Sequence, residues 1–262
     1  MNFPLWQLTN MDHLGFFCIC LQAQNLDNTV RFYRDLGLEP TLEDAPGLRV
    51  SLRNGPDVIT FMSFLEQDII NFRGAHIYRL LEQIEHKGIE IHGFNAHPEE
   101  QPLTLDSDGI PLPKNECGHF TVYDPDGHEI FFNTHPDERE PFEQALRDAQ
   151  ESLADEYVDR LLGQFQYVLH VSNLSTSKSF YETLGLDVRV QETAGMVSSG
   201  QGSGNAAFQF GLEGTGEPKV VLRFLQDSFD DTVLTRHGFT ESQDRWRISD
   251  PDGRLIELIK NN

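Results

Sequence analysis

The sequence contains few of the features that membrane-spanning or secreted proteins need. Among its 262 residues there are three cysteines, Cys18, Cys20 and Cys117, which cannot form a disulfide framework, so we expect reduced thiols. The longest apolar run, at 16–21, has the length of a strand and falls short of the roughly 18 residues of a membrane span. No basic cluster precedes a hydrophobic core near the N-terminus, which argues against a secretory signal and favours a cytoplasmic location.

Positive charge is scarce. The chain has 20 Lys and Arg against 42 Asp and Glu, a formal net charge of −22. Nucleic-acid binding requires clustered Lys and Arg to neutralise phosphates, and no basic stripe is present. Anionic membrane surfaces are excluded for the same reason. The acidic excess serves ordinary solubility or indicates adaptation to salt.

The most informative feature is a signature that occurs twice. Residues 25–38 and 173–186 are identical at seven of fourteen positions, with Asn-Leu, Phe-Tyr and Leu-Gly-Leu in the same order. An Asp-Pro-Asp-Gly turn follows each block, at 124–127 and 250–253. The offset between the copies falls from 148 to 126 because the first copy carries about 24 extra residues near 95–117, which we expect to form an irregular loop. The chain therefore consists of two copies of one domain.

Each copy has the pattern of two β-α-β-β-β units. In the first copy, 16–24 has the pattern of a strand and 26–36 of a helix that ends at Gly37. Three extended segments follow, and Asn54-Gly55 predicts a hairpin between the last two. A second unit combines a strand at 69–73, a helix at 75–86 and two strands joined by the Asp-Pro-Asp-Gly turn. The second copy repeats this plan from Tyr167 to Lys260.

The domain boundaries follow from the repeat. We place one domain at 12–135 and a second at 165–262. Between them, 141–162 has apolar residues at near-heptad spacing, a proline suited to a first helical position and Gly163 at its end, so 136–164 is expected to be a linker containing a docked helix.

These blocks resemble the vicinal oxygen chelate superfamily, which includes glyoxalase I, bleomycin-resistance proteins and extradiol dioxygenases. The resemblance covers about nine-tenths of the chain and rests on the two signatures and the two turns. It implies an α+β fold of two tandem domains, each with paired β-α-β-β-β units whose strands form an open cup. Function has to be argued from the site, because one fold hosts many chemistries.

The resemblance also implies where metal ligands would lie. In the first copy the corresponding residues include no carboxylate and no imidazole, which predicts a first cup without a divalent ion. They are Cys18, Thr60, Ile70 and Phe131. In the second copy they are Gln166, Gln209, Val220 and Glu257.

The second copy leaves two hypotheses open. Glu257 stands at the carboxylate position of the superfamily, and alternation along the strand places Gln166 and His170 on one face, so these three residues form a weak candidate metal set. Glu257 would then be the catalytic residue, and Leu255 and Ile259 would raise its pKa unless a cation compensates. Alternatively, Glu257 is buried in a pair with His170 or an arginine, and Val220 marks a lost ligand. We favour the second hypothesis, with no cofactor.

Two further groups of residues have simple explanations. Cys18 and Cys20 point the same way from one strand, and are either small buried residues, a soft-metal pair or a reactive thiol. Arg73 and Arg223 correspond under the repeat and are assigned to the face opposite the ligand positions, where structural pairing explains them.

Three classes of function follow. The first is a protein that binds a small organic ligand through residues such as Gln166, His170, Gln209 and Glu257, with an acidic surface that attracts cationic compounds. The second is a metal-dependent lyase, isomerase or dioxygenase with its divalent ion in the second domain. The third is an interaction protein without catalysis. The expected partner is a small molecule, with no nucleic acid and no membrane, and a homodimer remains an option.

Overall fold

The described part of the chain forms two mixed β-sheets of eight strands, one from each sequence repeat. The computed structural model describes residues 14, 16–41, 46–55, 57–73, 75, 77–96, 117–134, 161–191, 194–198, 209–215, 219–242 and 245–260. Within these ranges no helix is both long and apolar enough to span a membrane. Positions 141–160 of the predicted linker helix and positions 97–116 of the predicted loop lie outside the described residues.

The first sheet has the strand order β2-β3-β4-β1-β5-β8-β7-β6. Its central strands are β1 and β5, which pair antiparallel and join the two β-α-β-β-β units. The elements are β1 (Phe16–Gln22), α1 (Leu26–Asp35), β2 (Glu39–Pro40), β3 (Arg49–Asn54), β4 (Asp57–Met62), β5 (Ile69–Arg73), α2 (Ile77–His86), β6 (His92–Ala96), β7 (Gly118–Tyr123) and β8 (Glu129–Thr134). The sequence pattern did not predict β6.

The second sheet has the order β10-β11-β12-β9-β13-β16-β15-β14, which matches the first sheet position by position. The duplication predicted from the sequence is therefore confirmed. The elements are β9 (Gln164–Val171), α3 (Leu174–Leu184), β10 (Asp187–Gln191), β11 (Ala194–Ser198), β12 (Gln209–Gly214), β13 (Lys219–Gln226), α4 (Asp231–Arg236), β14 (Thr240–Ser242), β15 (Arg245–Ser249) and β16 (Leu255–Lys260).

The repeated signature forms the ends and the buried face of one helix in each repeat. Asn25 caps α1 by accepting from the amide of Asn28, and Asn173 caps α3 by accepting from Thr176. Gly185 takes a left-handed φ of 104° at the end of α3, a conformation that favours glycine. The signature therefore specifies local structure, which explains why it could be recognised in the sequence.

Each sheet has a helix-packed face and a second face, which we call the open face. In the second sheet, side chains such as Leu169, Leu222 and Leu258 join the hydrophobic core with Tyr181 of α3. Strand residues alternate between faces, so the residues between them point to the open face. Val168 on that face is fully buried and is not part of the core packed against the helices.

The two repeats contact each other through their Asp-Pro-Asp-Gly turns. Asp252 accepts from the amide of Gln24 at 2.8 Å and from the hydroxyl of Thr29 at 2.7 Å. Asp126 of the first repeat makes the equivalent two contacts with the second repeat. It accepts from the amide of Ser172 at 3.1 Å and from the hydroxyl of Ser177 at 3.4 Å. The repeats are therefore related by a reciprocal, twofold-like interface.

Candidate functional site

A row of polar residues crosses the centre of the second sheet on its open face. Arg223 of β13 lies directly opposite Gln166 of β9 and Glu257 of β16, and Glu257 lies opposite Arg247 of β15. Directly opposed residues on neighbouring strands project to the same face with their Cβ atoms about 5 Å apart. The sheet thus brings together side chains separated by up to about 90 positions in the sequence.

Arg223 links two carboxylates on this face, the buried Glu257 and the partly exposed Glu213. Its Nη1 donates to Oε1 of Glu213 at 2.7 Å and its Nη2 donates to Oε2 of Glu257 at 3.0 Å. The residue is 7% exposed, and its Nε is buried without a hydrogen-bond partner in the described part of the chain. A buried donor of this kind is normally satisfied, so it marks a place where a further acceptor can bind.

Two more arginines bind Glu257, which is 2% exposed. Arg247 donates from Nε to Oε1 at 2.9 Å, and Arg245 donates from Nη1 to Oε2 at 3.3 Å. Burial by itself would raise the pKa of Glu257, but the hydrogen bond and charge of Arg223, followed by the other two arginines, outweigh it and lower that pKa. The positive charges of the three arginines therefore keep Glu257 ionised.

Glu213 forms the other end of the cluster. Its Oε2 lies 3.4 Å from Nε2 of His170. This contact first, and then the hydrogen bond to Arg223, lower the pKa of Glu213 to about 2 against the opposing effect of burial. Nδ1 of His170 is buried and lacks a hydrogen-bond partner within the described ranges. In total, three guanidinium groups face two carboxylates, so the cluster has an excess of positive charge.

The residues proposed as a metal set do not converge on one point. Arg223 stands between Gln166 and Glu257 in the ladder. Gln166 directs its Nε2 towards Sδ of Met196 at 3.9 Å, and His170 is paired with Glu213. Of the alternatives for Glu257, the structure shows a buried pair with arginine. Gln209 lies in β12, and its side chain is outside the described residues.

Two assignments made from the sequence were wrong. Ile70 and Val220 lie opposite Ile19 and Leu169 in the ladders, on the helix-packed face rather than the open face. Arg223 is on the same face as Glu257, not on the opposite one. In ladder register the counterpart of Arg223 is Asn71, not Arg73, because Asn71 pairs with Cys18 as Arg223 pairs with Gln166. A shift of one residue moves a strand side chain to the other face, and local patterns do not determine that register.

Sequence reasoning also missed Glu213, Arg245 and Arg247. Arg245 and Arg247 are two apart in the strand before the second turn, a spacing that puts both on one face. That spacing was a usable signal, because the hairpin turn aligns β15 with the strand of Glu257. Glu213 had no comparable signal.

The structure is similar to solved structures of ring-cleaving dioxygenases and a glyoxalase. A catechol 2,3-dioxygenase aligns with a TM-score of 0.55 and 16% identity over 96% of this chain and 88% of the other. Homoprotocatechuate 2,3-dioxygenase from Arthrobacter globiformis aligns with a TM-score of 0.54 and 15% identity, over 93% and 78% of the two chains. An Mn(II)-bound glyoxalase from Novosphingobium aromaticivorans aligns with a TM-score of 0.53 and 15% identity, over 93% and 80%. The predicted α+β fold, with paired β-α-β-β-β units in two tandem repeats, is therefore confirmed.

No protein-family model and no curated protein matches the chain. At 15–16% identity the likeness to solved structures concerns the fold, and activity has to come from the residues of the site.

The open faces fit a divalent metal ion poorly. The described residues contain no group of three or more His, Cys, Asp and Glu side chains that could hold a metal ion. An ion bound to Glu257 would also meet the guanidinium group of Arg223, and two unit charges about 4 Å apart repel by roughly 4 kcal/mol at the effective dielectric of a protein surface. In the first sheet the corresponding row is Cys18, Asn71 and Phe131, which contains no carboxylate.

Proposed function

We propose that the chain is a vicinal oxygen chelate protein whose second domain binds a small organic anion on the open face, with arginines in place of a divalent ion. The observation that carries the proposal is the contact of Arg223 with both Glu213 and Glu257, joined by Arg245 and Arg247 on Glu257. This cluster has more guanidinium groups than carboxylates.

Donors remain for an anion after the internal ion pairs are made. Arg223 Nε is a buried donor without a hydrogen-bond partner among the described residues. The side chains of Arg245 and Arg247 are 38% and 35% exposed, so part of each guanidinium group faces outward. The planar fork of arginine matches a carboxylate in two parallel hydrogen bonds, which makes a carboxylate the anion of choice.

The apolar surroundings favour an organic anion over an inorganic one. Leu255 and Ile259 flank Glu257 on the same face of β16. A ligand that buries an apolar body gains about 25 cal/mol for each Å² removed from water. A cationic ligand, which the acidic composition suggested, would meet the excess of guanidinium groups.

A binding screen with charge-matched probes tests this proposal. We expect carboxylates such as benzoate, phenylacetate or pyruvate to raise the melting temperature by mass action, while benzamide and benzylamine do not. Arg247→Gln should lower the affinity for the carboxylate by about 10-fold or more, since it removes a charge-assisted hydrogen bond. Arg189→Gln is the matched control, because that arginine is 73% exposed and pairs only with Asp187 in the described structure.

The same screen separates the other two functions. If MnCl2 stabilises the wild-type protein but not Glu257→Gln, this proposal is wrong and the protein is a metal-dependent enzyme. A folded protein that responds neither to the carboxylates nor to metal ions would favour an interaction protein.

A further inference from the structure

Two thiols lie side by side on the open face of the first sheet. Cys18 and Cys20 are two residues apart in β1, so their side chains leave the strand on the same face. Cys20 is 1% exposed, Cys18 is half-buried, and both are free thiols. Cys18 occupies the ladder position that Gln166 has in the second sheet, opposite Asn71 instead of Arg223.

The amide of Asn71 is directed at this pair. Its Nδ2 lies 3.8 Å from Sγ of Cys20 and donates to it. Asn71 is 5% exposed, and its Oδ1 is buried without a hydrogen-bond partner in the ranges that the structure describes. Buried amide oxygens are nearly always hydrogen-bonded, so this oxygen is an available acceptor or ligand beside the two sulfurs.

The surroundings of the pair favour a thiolate. The hydrogen bond with Cys18 lowers the pKa of Cys20, and Asn71, Arg73 and Arg49 act in the same direction against the effect of burial. The same bond raises the pKa of Cys18, and burial adds to it. The guanidinium groups of Arg73 and Arg49 therefore favour negative charge on the pair of sulfurs.

We propose that Cys18 and Cys20 together bind one soft monovalent metal ion of the copper(I) or silver(I) class. Thiolate sulfur selects such ions, for which two sulfur ligands are sufficient. Zinc and iron need more ligands, and the described residues supply no third His, Cys, Asp or Glu side chain within a metal-binding group. The two thiols release their protons to solvent, the ion bridges the two sulfurs, and no electron is transferred. The resulting complex carries one negative charge, which Arg73 and Arg49 balance.

Anaerobic titration of the full-length protein with copper(I), in competition with the coloured chelator bicinchoninate, tests the proposal. We expect one copper(I) ion per chain to stay bound to the protein in the presence of the competitor. Cys18→Ser and Cys20→Ser should each weaken this binding by at least about 100-fold, since each removes a ligand. Cys117→Ser is the control, because Cys117 is a buried cysteine outside the pair and its loss should leave the affinity unchanged.

A second measurement does not depend on variants that could misfold. In the wild-type protein, bound copper(I) or silver(I) should protect Cys18 from alkylation by iodoacetamide, as read by peptide mass spectrometry, because the half-buried sulfur becomes a metal ligand. Unchanged alkylation of Cys18 in the presence of the ion would overturn the proposal. The proposal would also be wrong if both serine variants retained copper(I) as well as the wild type in the presence of the competitor. It would be wrong, too, if the folded wild-type protein lost all its copper(I) to the competitor.

Discussion

The hydroxyl of Tyr33 donates a hydrogen bond of 2.8 Å to Oδ2 of Asp250, 217 residues further along the chain. The second repeat returns the contact, because the hydroxyl of Tyr181 donates to Oδ2 of Asp124 at 3.0 Å. The other oxygen of each aspartate accepts the backbone amides of its own turn. The tyrosine of the signature and the first aspartate of the turn are thus two halves of one interface, which the chain uses twice.

Removal of the Tyr33 hydroxyl should destabilise the protein. Tyr33 is fully buried, and its hydrogen bond goes to a carboxylate, so Tyr33→Phe should lower the free energy of unfolding by about 1.5–3 kcal/mol. Tyr181→Phe should have a similar effect. Urea denaturation measures both, with Tyr123→Phe as control because Tyr123 is 41% exposed. A loss within 0.5 kcal/mol or so for Tyr33→Phe would show that the interface does not depend on this bond.

A second contact between the repeats involves Arg254, which is 8% exposed. Its Nε and Nη2 donate to the two oxygens of Asp68 at 2.8 and 2.9 Å, and its Nη1 donates to Asp250 at 2.6 Å. Arg254→Met leaves these carboxylates without their cation, and we expect a loss of about 3–5 kcal/mol in unfolding free energy. Arg53→Met is the matched control, since the pair of Arg53 with Glu39 is 40% and 53% exposed and should contribute less than about 1 kcal/mol. Equal losses for the two variants would contradict this prediction.

The lowered pKa of Glu213 should make stability dependent on pH in the acidic range. The folded-state pKa of Glu213 is about 2, below the ordinary value of 4.5. A lowered pKa gives stabilisation that is complete above pH 4.5 and is lost as the pH falls towards 2. The difference in unfolding free energy between wild type and Glu213→Gln should therefore shrink by about 2–3 kcal/mol over this range. The difference between wild type and the exposed control Glu241→Gln should stay constant.

The charge of Glu257 provides a discriminating test of the anion-binding site. Glu257→Gln keeps the shape of the side chain and removes a negative charge from the cluster, so the three arginines act more strongly on a bound carboxylate. We expect its affinity to stay the same or to rise several-fold, while Arg247→Gln lowers it. Isothermal titration with the best probe of the screen measures both. A loss of affinity in Glu257→Gln would count against the proposed site and in favour of direct ligand binding by this carboxylate.

Gly163 should tolerate no side chain. A Cβ atom there would fall well inside the van der Waals distance of the backbone oxygen of Leu225, while the carbonyl of Gly163 accepts from Asn54 of the first repeat at 2.7 Å. Gly163→Ala should cost about 1–3 kcal/mol or more, because backbone atoms cannot move aside cheaply. At Gly211 a Cβ meets the Cγ2 atom of Val168 at 3.1 Å, so Gly211→Ala should cost less in the same denaturation experiment. A larger cost at Gly211 would contradict this prediction.

Much of the fold could be predicted because its signals are local. The helix Leu26–Asp35 begins at an asparagine cap and ends near a glycine, and the turn at Asp124 closes within four residues through the bond from the amide of Gly127 to the carbonyl of Asp124. The duplication added a second copy of each signal. The strand β6 (His92–Ala96) was missed because it contains glycine and asparagine, which are uncommon in strands.

The candidate site was only partly predictable, because it depends on register and on contacts between distant residues. Glu257 was identified, but its partner Arg223 was assigned to the wrong face. A period of two residues makes a slip of one position sufficient for that error.

The repeat, the order of the units, the helix caps and the turns could be predicted from local patterns, since each depends on residues close together in the chain. The pairing of side chains across strands follows from the tertiary structure. It placed Arg223 between two glutamates and Asn71 against Cys20, and it joined Tyr33 to Asp250 across the repeats. These pairings arise from the register of the sheets and the docking of one repeat on the other. Both depend on the packing of the whole chain, because no local hydrogen bond specifies them.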